Sequence, residues 1–189
     1  AATQLVAILR LAQITSGFVP SEEGALHRFT PNPKLDACER LVRENINDRQ
    51  IIVWAWYRED VRAICERLAD LMPVRIVGGM KTVDRDESER MFQSGERRWL
   101  VANPASGGVG LNLFAGSMAV YYSQDYSLGE SMQSEDRCHR SGSEVHDSVL
   151  YVDLVARGTI DEVIRAALAG KKEVADVVMD LRRSLGLQR

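Results

Sequence analysis

Apolar and polar positions change rhythm near residue 51. The run IIVWAW at 51–56 is short and continuously apolar, which predicts a buried strand. The next stretch, 58–72, puts Val61, Ile64, Cys65, Leu68 and Leu71 at helical spacing and predicts an amphipathic helix. VRIV at 74–77 predicts a strand that runs into Gly78-Gly79. A helix over 84–95 follows, with acids in its first turn and a glycine stop. RWLVA at 98–102 predicts a strand, GGVGLNLF at 107–114 the start of a helix, and MAVYY at 118–122 another strand. Residues 127–140 predict a helix ended by Gly142, and 147–156 the last strand. The capping box Thr159-Ile160-Asp161-Glu162 opens a tail helix from 160 to about 185.

Short apolar strands alternating with helices predict an α/β fold, a mainly parallel sheet covered on both faces. Ligands of such sheets sit at the carboxyl ends of the strands. The loops after 56, 77, 102 and 122 are therefore expected to line one edge. Residues 1–50 differ. LVAILRLAQI at 5–14 and PNPKLDACERLVRENI at 31–46 read as helices, joined by a turn-rich connection. The chain divides on this reading into an N-terminal helical segment (1–50), an α/β lobe (51–158) and a C-terminal helix (159–189). The tail's stripe of Ile160, Val163, Ile164, Ala167 and Leu168 is expected to pack back on a lobe.

Composition narrows the picture. The 189 residues carry a net charge of −3, so any nucleic-acid contact must be a local basic patch. Cys38, Cys65 and Cys138 are far apart and form no CxxC, against a disulfide framework or a zinc site. His139 and His146 lack zinc-ligand spacing with Cys138, and no metal site is expected. No apolar run approaches the roughly 18 residues that cross a bilayer, and no signal peptide is visible. The opening Ala-Ala, without methionine, reads as the start of a piece of something longer.

Three features bear on chemistry. On the 127–140 helix, Gln133, Asp136, Arg137 and Arg140 fall within an arc of roughly 100° at about 100° per residue. Two guanidiniums on one face form a bidentate grip for phosphate oxygens. The same pattern also suits a wet helix face with one Asp136–Arg140 pair. Second, glycines 107, 108 and 110 let backbone amides approach a phosphate, although a tight strand-to-helix turn needs glycine equally. A GxGxxG fingerprint fails, because Leu113 stands where its last glycine belongs. Third, no GxxxxGK[ST] exists. The only Gly-Lys pair is Gly170-Lys171, with Arg165 at the first glycine position. Such a chain cannot cradle a nucleoside triphosphate alone, but it can supply arginines to a P-loop located elsewhere.

The order of these segments resembles the C-terminal RecA-like lobe of Swi/Snf-type ATPases in helicase superfamily two. That family's Q-x-x-D-R-x-H-R-x-G-Q is matched by Gln133, Asp136, Arg137, His139, Arg140 and Gly142, with Ser143 replacing the last Gln. Its A-G-G-x-G-L-N-L resembles 106–113, its D-W-N-P resembles 125–128, and its G-(x)₆-R spacing fits Gly78 and Arg85. LRLAQITSGFV resembles the family's L-R-Q-I-C opening, and RGTIDEVI its K-G-T-V-E-E-x-I close.

The resemblance implies a three-layer RecA-like lobe that acts as the second motor lobe of a DNA-dependent ATPase. ATP with Mg²⁺ would be bound mainly by an absent first lobe. Arg137 and Arg140 would be the arginine fingers, with Gln133, Asp136 and Gly110 beside the nucleotide. Arg58, Gly78, Gly79, Lys81, Asn103, Ser106 and Gly107 would face duplex DNA, although single surface Arg and Lys residues are often merely solvated. The isolated chain would be inactive. Departures lie at Asn103-Pro104-Ala105, where the family is Ser/Thr-rich and Pro104 removes an amide donor, and at Tyr126 and Leu128 in place of Trp and Pro. Trp54 and Trp56, on one strand face, suit packing better than base stacking. The short spacing between motifs resembles a compact bacterial or phage member and implies a cytoplasmic protein. Two other readings stay open: a strand-separating helicase or restriction-type translocase lobe, and a catalytically silent DNA- or protein-binding adaptor.

Overall fold

The computed structural model describes residues 2–21, 23–104, 111, 113–124 and 148–170. Five strands form one sheet in which every pairing is parallel: β3 (Ile51–Trp54), β4 (Val74–Ile76), β5 (Trp99–Ala102), β6 (Met118–Tyr121) and β7 (Leu150–Asp153). Their order is β4-β5-β3-β6-β7. β3 is central because its four residues are all buried and can cover both faces of the sheet; edge strand β7 has a more exposed pattern. From β3 the chain goes two places out to β4, returns to β5 between them, then crosses β3 to lay down β6 and β7. The carboxyl ends of β3 and β6 thus flank the place where the connections change direction, the usual location of a binding crevice.

Alternation along the strands separates two cores. Ile51, Val53, Trp99, Val101, Met118 and Val120 point to one face, where they meet Leu35, Cys38 and Val42 of α2 (Pro33–Asn45) and Val61 and Ile64 of α3 (Arg58–Arg67). Ile52, Trp54, Leu100, Ala102, Ala119 and Tyr121 point to the other, against Phe92 of α4 (Thr82–Gln93) and Leu111, Leu113 and Ala115. The result is the three-layer α/β lobe that the sequence predicts. Trp54 is fully buried packing and not a base platform.

Helix ends follow local chemistry. α2 begins at Asn32, whose side chain accepts from Leu35 N at 3.1 Å, with Pro33 supplying a preset first turn. α3 stops at Arg67, earlier than the periodicity predicts, and a short 3₁₀ turn over Ala69–Leu71 completes the connection. Trp99 donates its indole N–H to Leu71 O at 2.9 Å and fixes that turn to the sheet. α5 (Ile160–Ala169) is capped by Thr159, which accepts from Asp161 N. The carboxylate reaching back at this terminus is Asp161, which accepts from Ala156 N at 3.0 Å.

Two expectations change. The connection between the first two helices is an antiparallel hairpin of β1 (Phe18–Pro20) and β2 (Leu26–Arg28). Its strands are three residues long and β2 is wholly exposed, so no buried alternation marks it in the sequence. Leu111 and Leu113 are irregular and Phe114-Ala115 form a turn, so no helix runs on to 114. The predicted helix at 127–140, the glycines at 107–110 and the tail beyond 170 lie outside the described residues.

The first helix, α1 (Ala2–Ser16), packs on α5, where Ile164 and Ala167 are buried. Gly17 ends it at φ +98°; a Cβ there would lie 2.0 Å from Asn32 Nδ2, so both the backbone and the close approach exclude a side chain. Lys34 Nζ meets Asp161 Oδ2 at 2.6 Å with both side chains nearly buried, and Thr15 donates to Asp161 Oδ1 at 2.7 Å. This ion pair ties α1, α2 and α5 together.

Candidate nucleic-acid interface

The carboxyl ends of β3, β4, β5 and β6 open on one edge, and the hydrogen bonds of the sheet continue past the strands there. Ala55 N donates to Ala102 O and Tyr122 N to Trp54 O, both at 2.9 Å. One residue further, Trp56 N has no carbonyl to meet and donates instead to the Ser123 hydroxyl at 2.7 Å. Trp56 O accepts from Asn103 Nδ2, and Asn103 N donates to Ile76 O at 3.0 Å. Asn103 thus bridges the ends of β3 and β4 while itself following β5.

Of the residues predicted to face DNA, five are described and share this edge. Arg58, exposed in the first turn of α3, reaches Gly78 O with its Nη2 at 3.4 Å and so lies against the loop after β4. Gly79 holds φ +84°, and a Cβ added there would meet nothing within 4 Å, so glycine serves the backbone turn and not tight packing. Lys81 is exposed and stands at the N-cap of α4 without a side-chain cap bond. Asn103 is half-buried in the bridge just described. Two exposed cations and a glycine turn at a helix start suit the backbone of a polyanion. Ser106, Gly107, Gly110, Gln133, Asp136, Arg137 and Arg140 lie outside the described residues. Among the described residues no three His, Cys, Asp or Glu side chains gather as a metal site, and no helix is long and apolar enough to cross a membrane.

The sequence reading missed Asp60. It occupies the first turn of α3 yet is 1% exposed. Its Oδ2 accepts from Ser123 Oγ at 2.5 Å and from Ser16 Oγ at 3.3 Å. Burial pushes its carboxyl up to about 7, against the Ser123 hydrogen bond, the charge of Lys34 and the bonds from Ser16 and the Tyr57 backbone, which favour the ionised form. Beside it, Tyr122 donates its hydroxyl to Ser16 O at 2.9 Å, and its ring lies 5.7 Å from Lys34 Nζ. A signal was present: Asp60 is four residues before Ile64 and eight before Leu68, on the stripe that the helix buries.

Residues 33–142 match the helicase conserved C-terminal domain. The chain belongs to that family. It is 33% identical over 163 residues to the chromatin-remodeling ATPase INO80 of Aspergillus oryzae, covering 84% of this chain and 11% of the relative's length. The lobe's fold matches the SWI2/SNF2 ATPase core domain of Sulfolobus solfataricus with a TM-score of 0.68 at 18% identity, covering 90% of this chain and 35% of that one. It also matches the Hef helicase domain of Pyrococcus furiosus with a TM-score of 0.57 at 28% identity, covering 77% and 29%. The resemblance to the C-terminal lobe of Swi/Snf-type ATPases therefore stands, and with it the RecA-like lobe. One expectation falls. Curated relatives of the lobe from Cryptococcus neoformans, Candida glabrata and Neurospora crassa are likewise chromatin-remodeling ATPases of eukaryotes, which overturns the bacterial or phage-type, cytoplasmic reading. Short spacing between motifs reflects short connections around this sheet and carries no information about origin.

Proposed function

We propose that this helicase C-terminal domain works as the second motor lobe of an ATPase driven by duplex DNA. The observation that carries the reading is the gathering of Arg58, the Gly78-Gly79 turn, Lys81 and Asn103 on one carboxyl edge of a lobe whose motif order is that of Swi/Snf-type ATPases. On this reading Arg58 and Lys81 hold DNA phosphates, and the loops at 78–81 and 103–107 face the backbone, without the amide of Asn103, which is bonded to Ile76 O, or of Pro104, which has none. The chain contains no P-loop, so by itself it does not fit a nucleoside triphosphate. ATP with Mg²⁺ supplies a phosphoryl group whose transfer drives movement, and it binds chiefly to another lobe. Arg137 and Arg140 neutralise charge on that phosphoryl group when the lobes close, with Gln133, Asp136 and Gly110 positioning it. Closure over DNA completes the site, and the lobe alone hydrolyses nothing.

The deciding experiment is ATP hydrolysis by the full-length protein, with and without duplex DNA, beside its Arg140→Ala variant. Duplex is expected to stimulate the wild type. The variant is expected to lose a hundredfold or more in rate, about 2.7 kcal/mol, while it still binds ATP. A variant as fast as the wild type sinks the assignment of Arg140. A second reading, a strand-separating helicase lobe, is favoured by the likeness to the Hef helicase domain. Stimulation by single strands in place of duplex would select it.

A further inference from the structure

We propose that Asp60 and Ser123 position a hydrogen-bonded belt that couples the DNA-facing loops after β3, β4 and β5 to the stretch of chain leaving β6. The inference rests on the motor reading above and adds to it a means by which DNA contact reaches the arginine-bearing segment.

The belt is continuous. Asp60 Oδ2 accepts the Ser123 proton; Ser123 Oγ accepts from Trp56 N; Trp56 O accepts from Asn103 Nδ2; Asn103 N donates to Ile76 O. Two residues past Trp56 and Ile76, Arg58 and Gly78 meet each other. The carboxyl ends of four strands are thereby linked across the sheet, just beyond the last pairs of its own ladder. From Ser123 the chain passes through Gln124, whose amide donates to Asp153 Oδ1 of β7 at 3.0 Å, into the stretch that carries Gln133, Arg137 and Arg140.

Direction is set by Asp60. A serine hydroxyl has one proton, and Asp60 Oδ2 is the acceptor that it meets. While Asp60 takes that proton, the Ser123 lone pairs face Trp56 N. Without Asp60 the hydroxyl is free to rotate, and the Trp56 amide loses a directed acceptor.

The chemistry of burial argues for positioning over stability. A carboxylate at 1% exposure is costly even when hydrogen-bonded, and an apolar residue at the same place packs without that cost. The groups that face Asp60 are Ser16 from α1, Lys34 and Cys38 from α2, the Tyr57 backbone at the start of α3, and Tyr122 and Ser123 after β6. Ser123 is the nearest of the hydrogen-bonding side chains, and it is the one that belongs to the functional edge.

The test uses the full-length protein and four readouts: thermal melting, duplex-DNA affinity, and ATP turnover without and with duplex. Ser123→Ala is expected to keep its fold, its DNA affinity and its unstimulated turnover within roughly twofold, while stimulation by duplex falls about tenfold. Asp60→Ala is expected to behave alike. Asp60→Asn, which still offers an acceptor to the hydroxyl, is expected to recover most of the stimulation. Equal proportional loss of unstimulated and stimulated turnover marks a purely structural role and overturns the proposal, as does full stimulation in Ser123→Ala. A wild type that duplex fails to stimulate overturns the motor reading itself and takes this inference with it. Should Asp60→Ala not fold, Ser123→Ala decides alone.

Discussion

Arg58 and Asp60 stand two residues apart on α3 and live in opposite surroundings. Arg58 is exposed at the carboxyl edge, held loosely to Gly78 O at 3.4 Å, with most of its hydrogen-bonding capacity turned to solvent. Asp60 faces inward, with hydroxyls from two other segments on it and Lys34 nearby. The outer set, Arg58 and Lys81, has its charge available to a ligand. In the inner set Lys34 and Asp161 satisfy each other's charge, while burial disfavours the charge of Asp60 and its Oδ1 has no hydrogen-bond partner among the described residues. Removing a group should therefore weaken ligand binding at the outer set and stability at the Lys34–Asp161 pair, with Asp60 acting through the position of Ser123.

The largest effect is expected at the Lys34–Asp161 pair. Lys34→Met leaves Asp161 nearly buried without its cation. Urea unfolding should show a loss of about 3–5 kcal/mol, and Asp161→Leu added to it should recover much of that. A loss under about 1 kcal/mol would place the pair with ordinary surface bridges and dissolve the contrast.

Next comes pH. The carboxyl of Asp60 titrates higher in the fold than its ordinary 3.8, so its contribution is complete at low pH and is lost as pH rises toward 7. Between pH 5 and 8 this amounts to about 2–3 kcal/mol of lost stability. Glu39, Asp70 and Glu87 have the opposite sign: arginine partners hold them low, so their contribution is present above about 4.5 and fades on acidification below it. Unfolding at pH 5, 6, 7 and 8 should show a decline in the wild type that Asp60→Asn flattens. Equal slopes in both would refute the assignment.

The smallest stability effect belongs to the outer set. Arg58→Ala and Lys81→Ala should each change unfolding free energy by less than about 0.5 kcal/mol. Each should also weaken duplex binding and reduce the slope of log affinity against log salt by about 1. Unaltered salt slopes would mean that these cations are only solvated.

Much of the scaffold is legible in the sequence because burial imposes a period. The strands at 51–54, 99–102 and 118–121 read cleanly, since residues packed on both sides must be apolar without interruption, and the edge strand at 74–76 reads by alternation, with Arg75 exposed between two buried residues. The β1–β2 hairpin is illegible: His27 and its neighbours are exposed, and nothing forces a pattern on them. The edge is legible where sequence marks it directly, as at Gly78-Gly79 and Lys81. Asn103, a departure from the family's pattern, proves to be the bridge between two strand ends. The inner seam is hidden because its partners lie far apart in the chain. Ser16, Lys34, Asp60, Ser123 and Asp161 become neighbours only through the crossing of β3 by the later strands. Asp60 looks like one more acid in a helix's first turn, where acids are common for reasons of the helix dipole.

The tryptophans give this arrangement an optical consequence. The chain has three. Trp54 and Trp99 are sealed in opposite faces of the sheet at 0% exposure, and their emission should lie to the blue and ignore quenchers in solution. Trp56 is half-buried, and its own amide and carbonyl are links in the hydrogen-bonded edge. Any fluorescence change that this lobe shows when a polyanion arrives therefore comes from one indole, two residues from the cation that would meet it.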